Sequence, residues 1–564
     1  MQTMLRPEYL LHPQRTPAPA LPAATLVLLR PHPATGWEVL LTRRSARASF
    51  AADMYVFPGG AIEPEDAQWP APLVRFRPEM DATMRAAAVA ALRETFEEMG
   101  VLLACDAQGQ QVAQSVVDQL ERHAPLWPQL QAHGLQLDAA ALWQVGHFTA
   151  PAHLPKRFAV PFFVAAMPAQ QTAQPDNSEQ FEAVWVQPQA ALAAHKAQRM
   201  PMMLPTVRAL MYLAPYADLP AIQQAASGGM LWQHAPRFAR DNGKERSLLE
   251  SDSAYGEVQL VSPDGQVVHD VGWQSTQAVA LCRHVWRLTA PNAGVMTGPG
   301  TNSYLIGEAA TGFVVMDPGP ADAAHVQRLL QAAGGDVRHI VCTHSHPDHA
   351  PGAWLLQQLC ADQGRPRPAV YGMPSGASAR ADSVFVPDVA LHDGAQLVLH
   401  GPQVPGAAAP PVTHTLRAIH TPGHAANHLC FLLQEDALLF TGDHVLNGST
   451  TIVDVPDGNM RDYIDSLDTL AQLCQDAGVE FLLPAHGHVL AQAPAVIARL
   501  KAHRLAREAK VLAALQQQPQ GTLQDWVALA YADTPQALWP LAERSLIAHV
   551  ERIRALGLAH VPER

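Results

Sequence analysis

Along the chain, apolar positions recur sometimes at every second residue and sometimes at helical spacing, and the changeover between the two spacings marks the elements. Residues 23–29 and 37–42 are apolar, β-branched-rich runs separated by Pro31, Pro33 and Gly36, which predicts a hairpin of two strands. Residues 81–99 hold alanines, leucines and glutamates with no Gly or Pro until Gly100, which predicts a helix. Strands are expected at 158–166 and 183–186, then a helix over 190–212, giving a first domain over 18–225. The signal weakens between 226 and 280, where 257–261 and 266–271 flank Ser262-Pro263-Asp264-Gly265 and read as a hairpin within a linker. From 281 onward strands (303–306, 312–316, 339–342) alternate with a helix at 321–333, the pattern of a layered α/β domain over 281–500 with its reactive residues in strand-end loops. A helix-rich tail over 501–564 is interrupted at Pro519-Gln520-Gly521 and at Thr534-Pro535.

Composition narrows the function classes. With 564 residues the chain exceeds what one core supports, so more than one active site is sought. A formal charge of -13 argues against nonspecific duplex binding, which needs a basic surface to displace phosphate counterions. The six cysteines, Cys105, Cys282, Cys342, Cys360, Cys430 and Cys474, form no C-x-x-C pair, so reduced core thiols are expected rather than disulfides or a zinc ribbon. The apolar stretch near residues 21–29 ends at Arg30, well short of the roughly 18 residues a membrane span requires. A cytoplasmic protein with no targeting segment and no membrane partner is the expectation.

The densest chemistry lies in Thr343-His344-Ser345-His346-Pro347-Asp348-His349, directly after an apolar strand. Three imidazoles and a carboxylate in one tight loop can serve two adjacent cations, because neutral imidazole and carboxylate oxygen suit borderline metals such as Zn²⁺. Further candidates are His424 in Thr421-Pro422-Gly423-His424, Asp443 in Phe440-Thr441-Gly442-Asp443 and His486 in Pro484-Ala485-His486-Gly487, each just past an apolar segment. In a chain with 27 histidines most are surface or hydrogen-bonded groups, and His414, His420 and His428 are taken as such.

The cluster and the order of its later partners resemble the metallo-β-lactamase superfamily, as do Gly298-Pro299-Gly300-Thr301-Asn302-Ser303-Tyr304-Leu305 and Met316-Asp317-Pro318-Gly319. That resemblance implies an αββα sandwich in which His344, His346 and His424 hold one metal, Asp348, His349 and His486 hold the other, and Asp443 bridges them. It implies two Zn, or Mn or Fe, that ionise a water near neutral pH, with Asp348 also orienting the nucleophile. Within the superfamily the chain looks like the endoribonuclease-type β-lactamase-like protein 2 group, whose winged-helix-like tail the segment from His503-Arg504 resembles. Single-stranded RNA is therefore a candidate partner, although the tail from 501 to 564, with eight Lys/Arg against six Asp/Glu, is only weakly basic. A tail that caps the site or makes a homo-oligomer is an equal expectation. Thioesters, as in glyoxalase II, and lactams are the other substrate classes.

A second constellation, Arg93-Glu94-Thr95-Phe96-Glu97-Glu98-Met99-Gly100, sets Glu94, Glu97 and Glu98 at i, i+3 and i+4 on one helical face. Three such carboxylates repel unless a hard cation lies among them, whereas without further context they would form a solvated acidic stripe. With Phe57-Pro58-Gly59-Gly60 upstream, the whole resembles the Nudix box, which implies an α/β/α sandwich and Mg or Mn held by Glu94, Glu97 and Glu98. Two departures stand out: the family's first glutamate falls on Asp66, with a long insertion before Arg93, and Thr95 occupies a position usually bulkier. Leu40-Leu41-Thr42-Arg43-Arg44-Ser45 resembles the pattern of coenzyme A pyrophosphohydrolases, half kept because Ser49 and Asp53 replace its second Arg and its Gly. Arg44 or Arg47 then meets a substrate phosphate, or is an ordinary strand-end charge. The expected protein is a bifunctional hydrolase whose N-terminal half cleaves a CoA-like or nucleotide diphosphate. The alternative is a Nudix domain that only senses a ligand beside one catalytic half.

Overall fold

A computed structural model describes residues 5–34, 36–47, 51–402 and 411–559, and the chain divides into two compact units. One comprises Pro17–Pro236; the other joins Met1–Thr16 to Arg237–Arg564.

In the unit Pro17–Pro236 the strands Ala20–His32 and Gly36–Arg44 form the expected hairpin, with Leu29 opposite Val39 and His32 opposite Gly36. Gln180–Val186 extends this sheet on one side, and Arg157–Ala166, Trp143–Thr149 and Trp232–His234 follow on the other. Side chains alternate across the sheet. Leu26, Leu28 and Leu40 pack with the helix Ala82–Met99, while Val27, Leu29, Val39 and Leu41 pack with Leu210, Leu213 and Ile222 on the opposite face, so the layers are α/β/α. The Asp81 side chain caps the first turn of Ala82–Met99 by accepting from Met84 N at 2.8 Å, and Gly100 ends the helix at φ 63°. The helix expected over 190–212 is two helices, Pro188–Lys196 and Leu204–Leu213. Pro201 lies in the gap and Pro205 in the first turn of the second, where its missing N–H costs nothing.

The second unit stacks two sheets. One runs Val279–Cys282, Val285–Thr289, Asn302–Glu308, Gly312–Met316, Val337–Val341, Ala369–Gly372 and Val389–Ala390; the other runs Gln396–His400, Thr413–His420, Leu429–Leu433, Leu438–Gly442, Phe481–Pro484 and Leu490–Ala491. Tyr304, Ile306, Val314 and Met316 of the first meet Leu416, Phe431, Phe440 and Leu483 of the second in one core. Ala323–Ala332 and Gly352–Asp362 cover the outer face of the first sheet, and Met460–Ala477 and Ala493–Gln517 that of the second, completing an αββα sandwich. Ala493–Gln517 continues into the tail, where Leu523–Ala530 and Trp539–Ala555 close around the buried Trp526.

The hairpin expected around Ser262-Pro263-Asp264-Gly265 is corrected. Tyr255–Val261 is a helix, and the hairpin of this region pairs Arg237–Asp241 with Lys244–Leu248 across Asn242 and Gly243, both at positive φ. Within the helix the Glu257 carboxylate, fully buried, takes the Arg287 guanidinium and His488 Nδ1, the latter at 3.0 Å. Among the described residues no helix is long and apolar enough to cross a membrane.

Candidate metal centre

The second unit gathers its reactive side chains where strands of both sheets end. Val337–Val341 delivers Thr343 to His349, Thr413–His420 delivers His424, Leu438–Gly442 delivers Asp443, and Phe481–Pro484 delivers His486. His424 is brought in by Gly423, at φ 136°, where a Cβ would stand 2.3 Å from the Tyr463 Cα.

His344 Nε2 and His424 Nε2 lie 3.0 and 2.9 Å from His346 Nδ1. His349 Nε2 and His486 Nε2 lie 3.2 and 3.3 Å from Asp348 Oδ2. Between the two groups stands Asp443, with Oδ2 3.5 Å from His424 Nε2 and Oδ1 3.3 Å from His486 Nε2. All seven candidates therefore meet at one place, in overlapping sets that could each hold an ion: His344, His346 and His424; His344, His349 and Asp443; Asp348, His349 and His486.

The outer partners decide which ring nitrogens face inward. His424 Nδ1 donates to Ile452 O at 2.7 Å, His486 Nδ1 to Gly300 O at 3.1 Å, and His349 Nδ1 to Asp317 Oδ2 at 3.1 Å. Thr343 Oγ1 donates to Asp317 Oδ2 at 2.8 Å, so it accepts from His344 Nδ1 at 3.0 Å. Each of these rings thus turns its Nε2 toward the centre. His349 Nε2 and Asp443 Oδ1 are buried and form no hydrogen bond among the described residues. Buried imidazole nitrogens and carboxylate oxygens that face chiefly one another are the donors a cation satisfies, so the set fits a pair of divalent ions.

Charge is divided unevenly. Burial lowers His486, yet Asp443 and Asp348 carry it up to about 10. Burial, His424 and His349 push His346 down to about 3, leaving it neutral. Burial would raise Asp348, but His349 and His486 hold it below the usual carboxylate range.

Two contributors carry no role in the sequence reading. Asp317, at φ 45°, also accepts from Thr343 N at 2.7 Å and so locks the loop bearing His344 to the ring of His349. Thr301 Oγ1 donates to Asp348 Oδ2 at 3.2 Å. Both lie in the Gly-Thr-Asn and Met-Asp-Pro-Gly segments, so the signal was present without an assigned function. His428 is a buried hydrogen-bonded side chain, accepting from Asp443 N at 3.1 Å.

In the other unit Glu94, Glu97 and Glu98 lie near Gly59 and Gly60. A Cβ on Gly60 would stand 2.3 Å from Glu94 Oε1. Glu98 accepts from Gly59 N at 3.0 Å and Gln180 Nε2 at 2.7 Å, whereas Glu94 and Glu97 share Arg93 Nη1 at 3.0 and 2.9 Å. Asp66, buried, takes the rest of the Arg93 guanidinium at 2.9 and 3.0 Å. The three glutamates do not form one of the close ligand groups found among the described residues. Burial raises Glu98 to about 8 and Glu94 to about 7, and raises Glu97. Arg44 ends its strand with Nε buried and unbonded among the described residues, while Arg47 is exposed.

Comparison with known proteins follows this division. Residues 296–486 match the family model of the metallo-beta-lactamase superfamily, and 522–562 that of the beta-lactamase associated winged helix domain. Over 241 residues the chain is 32% identical to an atrochrysone carboxyl ACP thioesterase of Aspergillus chevalieri, covering 42% of this chain and 67% of that one. A beta-lactamase-like protein 2 homolog of Drosophila melanogaster is 28% identical over 50% of this chain and 91% of its own. Against two further fungal relatives the chain spans only 64% and 60% of their length. A solved NUDIX hydrolase from Alicyclobacillus acidocaldarius, 29% identical, covers 37% of this chain and 96% of its own at a TM-score of 0.33.

Proposed function

Because the chain belongs to the metallo-beta-lactamase superfamily, we propose that its second unit is a dinuclear metal-dependent hydrolase of acyl thioesters or related esters. The observation that carries this reading is the convergence of seven imidazole and carboxylate side chains in overlapping close groups. His344, His346 and His424 would hold one ion and Asp348, His349 and His486 the other, with Asp443 within reach of both. Divalent cations so held, zinc being the best match to the donors, supply Lewis acidity and lower the pKa of water toward neutrality. Asp348, fixed by the Thr301 hydroxyl, would orient the attacking water as well as hold an ion. Acyl thioesters are favoured over RNA because the chain carries a net charge of -13 and one relative bears the name of an acyl-carrier thioesterase.

For the unit Pro17–Pro236 we propose Mg²⁺-dependent cleavage of a CoA-like or nucleotide diphosphate, with Glu94, Glu97 and Glu98 as metal ligands and Arg44 toward the phosphates. Raised carboxyl pKa values support it, since burial and mutual repulsion are the cost a bound cation relieves. One set of full-length variants tests both halves. His346→Ala abolishes hydrolysis of acyl-CoA thioesters and spares Mg²⁺-dependent diphosphate cleavage; Glu98→Gln does the reverse. If the parent cleaves no CoA or ADP-ribose but binds either one, the N-terminal unit is a ligand sensor. If it cleaves an RNA oligonucleotide and no thioester, the ester assignment fails.

A further inference from the structure

We propose that Arg504, on the tail-forming helix Ala493–Gln517, is a positioning residue for the metal centre, acting chiefly on His424 through the loop at Thr451 and Ile452. The proposal rests on the two-ion reading of the site above. Arg504 is 3% exposed, far more buried than a guanidinium needs to be for solubility, and its Nη2 donates to the carbonyl of Thr451. Burying an arginine is costly, so its contacts are expected to do more than pack.

From Thr451 the connections run to two ligands. The Thr451 hydroxyl donates to the carbonyl of Asp443 at 2.8 Å, at the backbone of the residue that stands between the two ion positions. The next carbonyl, Ile452 O, is the one that accepts from His424 Nδ1 at 2.7 Å and so turns His424 Nε2 inward. The guanidinium also lies over the Tyr463 ring at 5.0 Å, and the Tyr463 hydroxyl donates to the carbonyl of His444 at 2.7 Å, holding the residue after Asp443. At the other end of the same loop, Arg544 of the last tail helix lies 3.5 Å from Asp454. Two tail helices therefore grip the segment that orients His424, whereas the outer partners of His344, His349 and His486, namely Thr343, Asp317 and Gly300, lie in other segments. The tail is thus part of the metal centre's support, and its effect is one-sided: it serves the ion at His344, His346 and His424 more than the ion at Asp348, His349 and His486.

The test is stepwise Co²⁺ titration of metal-depleted full-length protein, read by the visible spectrum and by competition with a chromophoric chelator. The parent takes up two ions. Arg504→Met keeps the stem over Tyr463 and removes the donor; it weakens one of the two ions by roughly ten- to a hundredfold, the usual effect of losing an outer-shell partner, and alters that ion's absorption band. Arg504→Lys, which retains a donor, restores part of the loss. Arg544→Met frees Asp454 at the other end of the same loop without touching Arg504 and shows the same one-sided weakening, so it carries the test should Arg504→Met fail to fold. Parent-like affinities for both ions in the folded variants, or equal weakening of both, overturn the proposal. A parent that takes up no Co²⁺ overturns the two-ion reading itself, and this proposal with it.

Discussion

At the scale of single residues, the outer partners matter as much as the ligands, because a histidine binds a metal only through the nitrogen its hydrogen bond leaves free. Asp317→Ala releases both the ring of His349 and the backbone of Thr343. It should lower zinc affinity by about ten- to a hundredfold in a chelator competition assay. In the other unit the sign of the pH dependence follows from burial. Glu94 and Glu98 are raised to about 7 and about 8, so their protons compete with a cation throughout the neutral range. Mg²⁺ affinity, measured calorimetrically, should climb between pH 6 and pH 8 and level off above Glu98's value. Because the folded pKa values exceed the ordinary carboxylate value of 4.5, the metal-free unit should also lose stability as pH rises from there to about 8.

At the scale of elements, the region 237–261 shows what pattern reading resolves and what it does not. Glu257-Val258-Gln259-Leu260-Val261 alternates like a strand, yet Gly256, Glu257, Val258, Leu260 and Val261 are all buried, so no polar face reveals the helical period. The partner of the buried Glu257 is Arg287, 30 residues further on and invisible to local spacing. The Asn242-Gly243 pair, by contrast, is a strong hairpin signal and was available in the sequence. The strand-end ligands were legible because each follows an apolar run, whereas Asp317 and Thr301 were legible only as motif text. Glu257→Ala strands the Arg287 guanidinium in the interior, and should cost about 3–5 kcal/mol in denaturant unfolding. Burial opposes the charge on Glu257, but Arg287, His269 and His488 hold its pKa well below the ordinary value. Its contribution is thus present above about pH 4.5 and lost as the solution is acidified further.

At the scale of the whole molecule, the first sixteen residues belong with the unit that begins at Arg237 and not with the unit that follows them in the chain. Arg6 pairs with Asp436 through Nε and Nη2 at 2.9 and 2.8 Å, and His284 Nε2 reaches the same buried carboxylate at 2.9 Å. Arg6→Met should therefore lower the unfolding midpoint of the metallo-β-lactamase unit in calorimetry and leave that of Pro17–Pro236 unchanged. The proposed function rests on one arrangement, imidazoles and carboxylates from four strand ends gathered where two cations could be held. Elemental analysis of the purified full-length protein tests it most directly. The parent should carry two transition-metal ions per chain, and His346→Ala, folded by circular dichroism, at most one. Two ions retained in His346→Ala, or none in a parent supplied with zinc, would contradict the account.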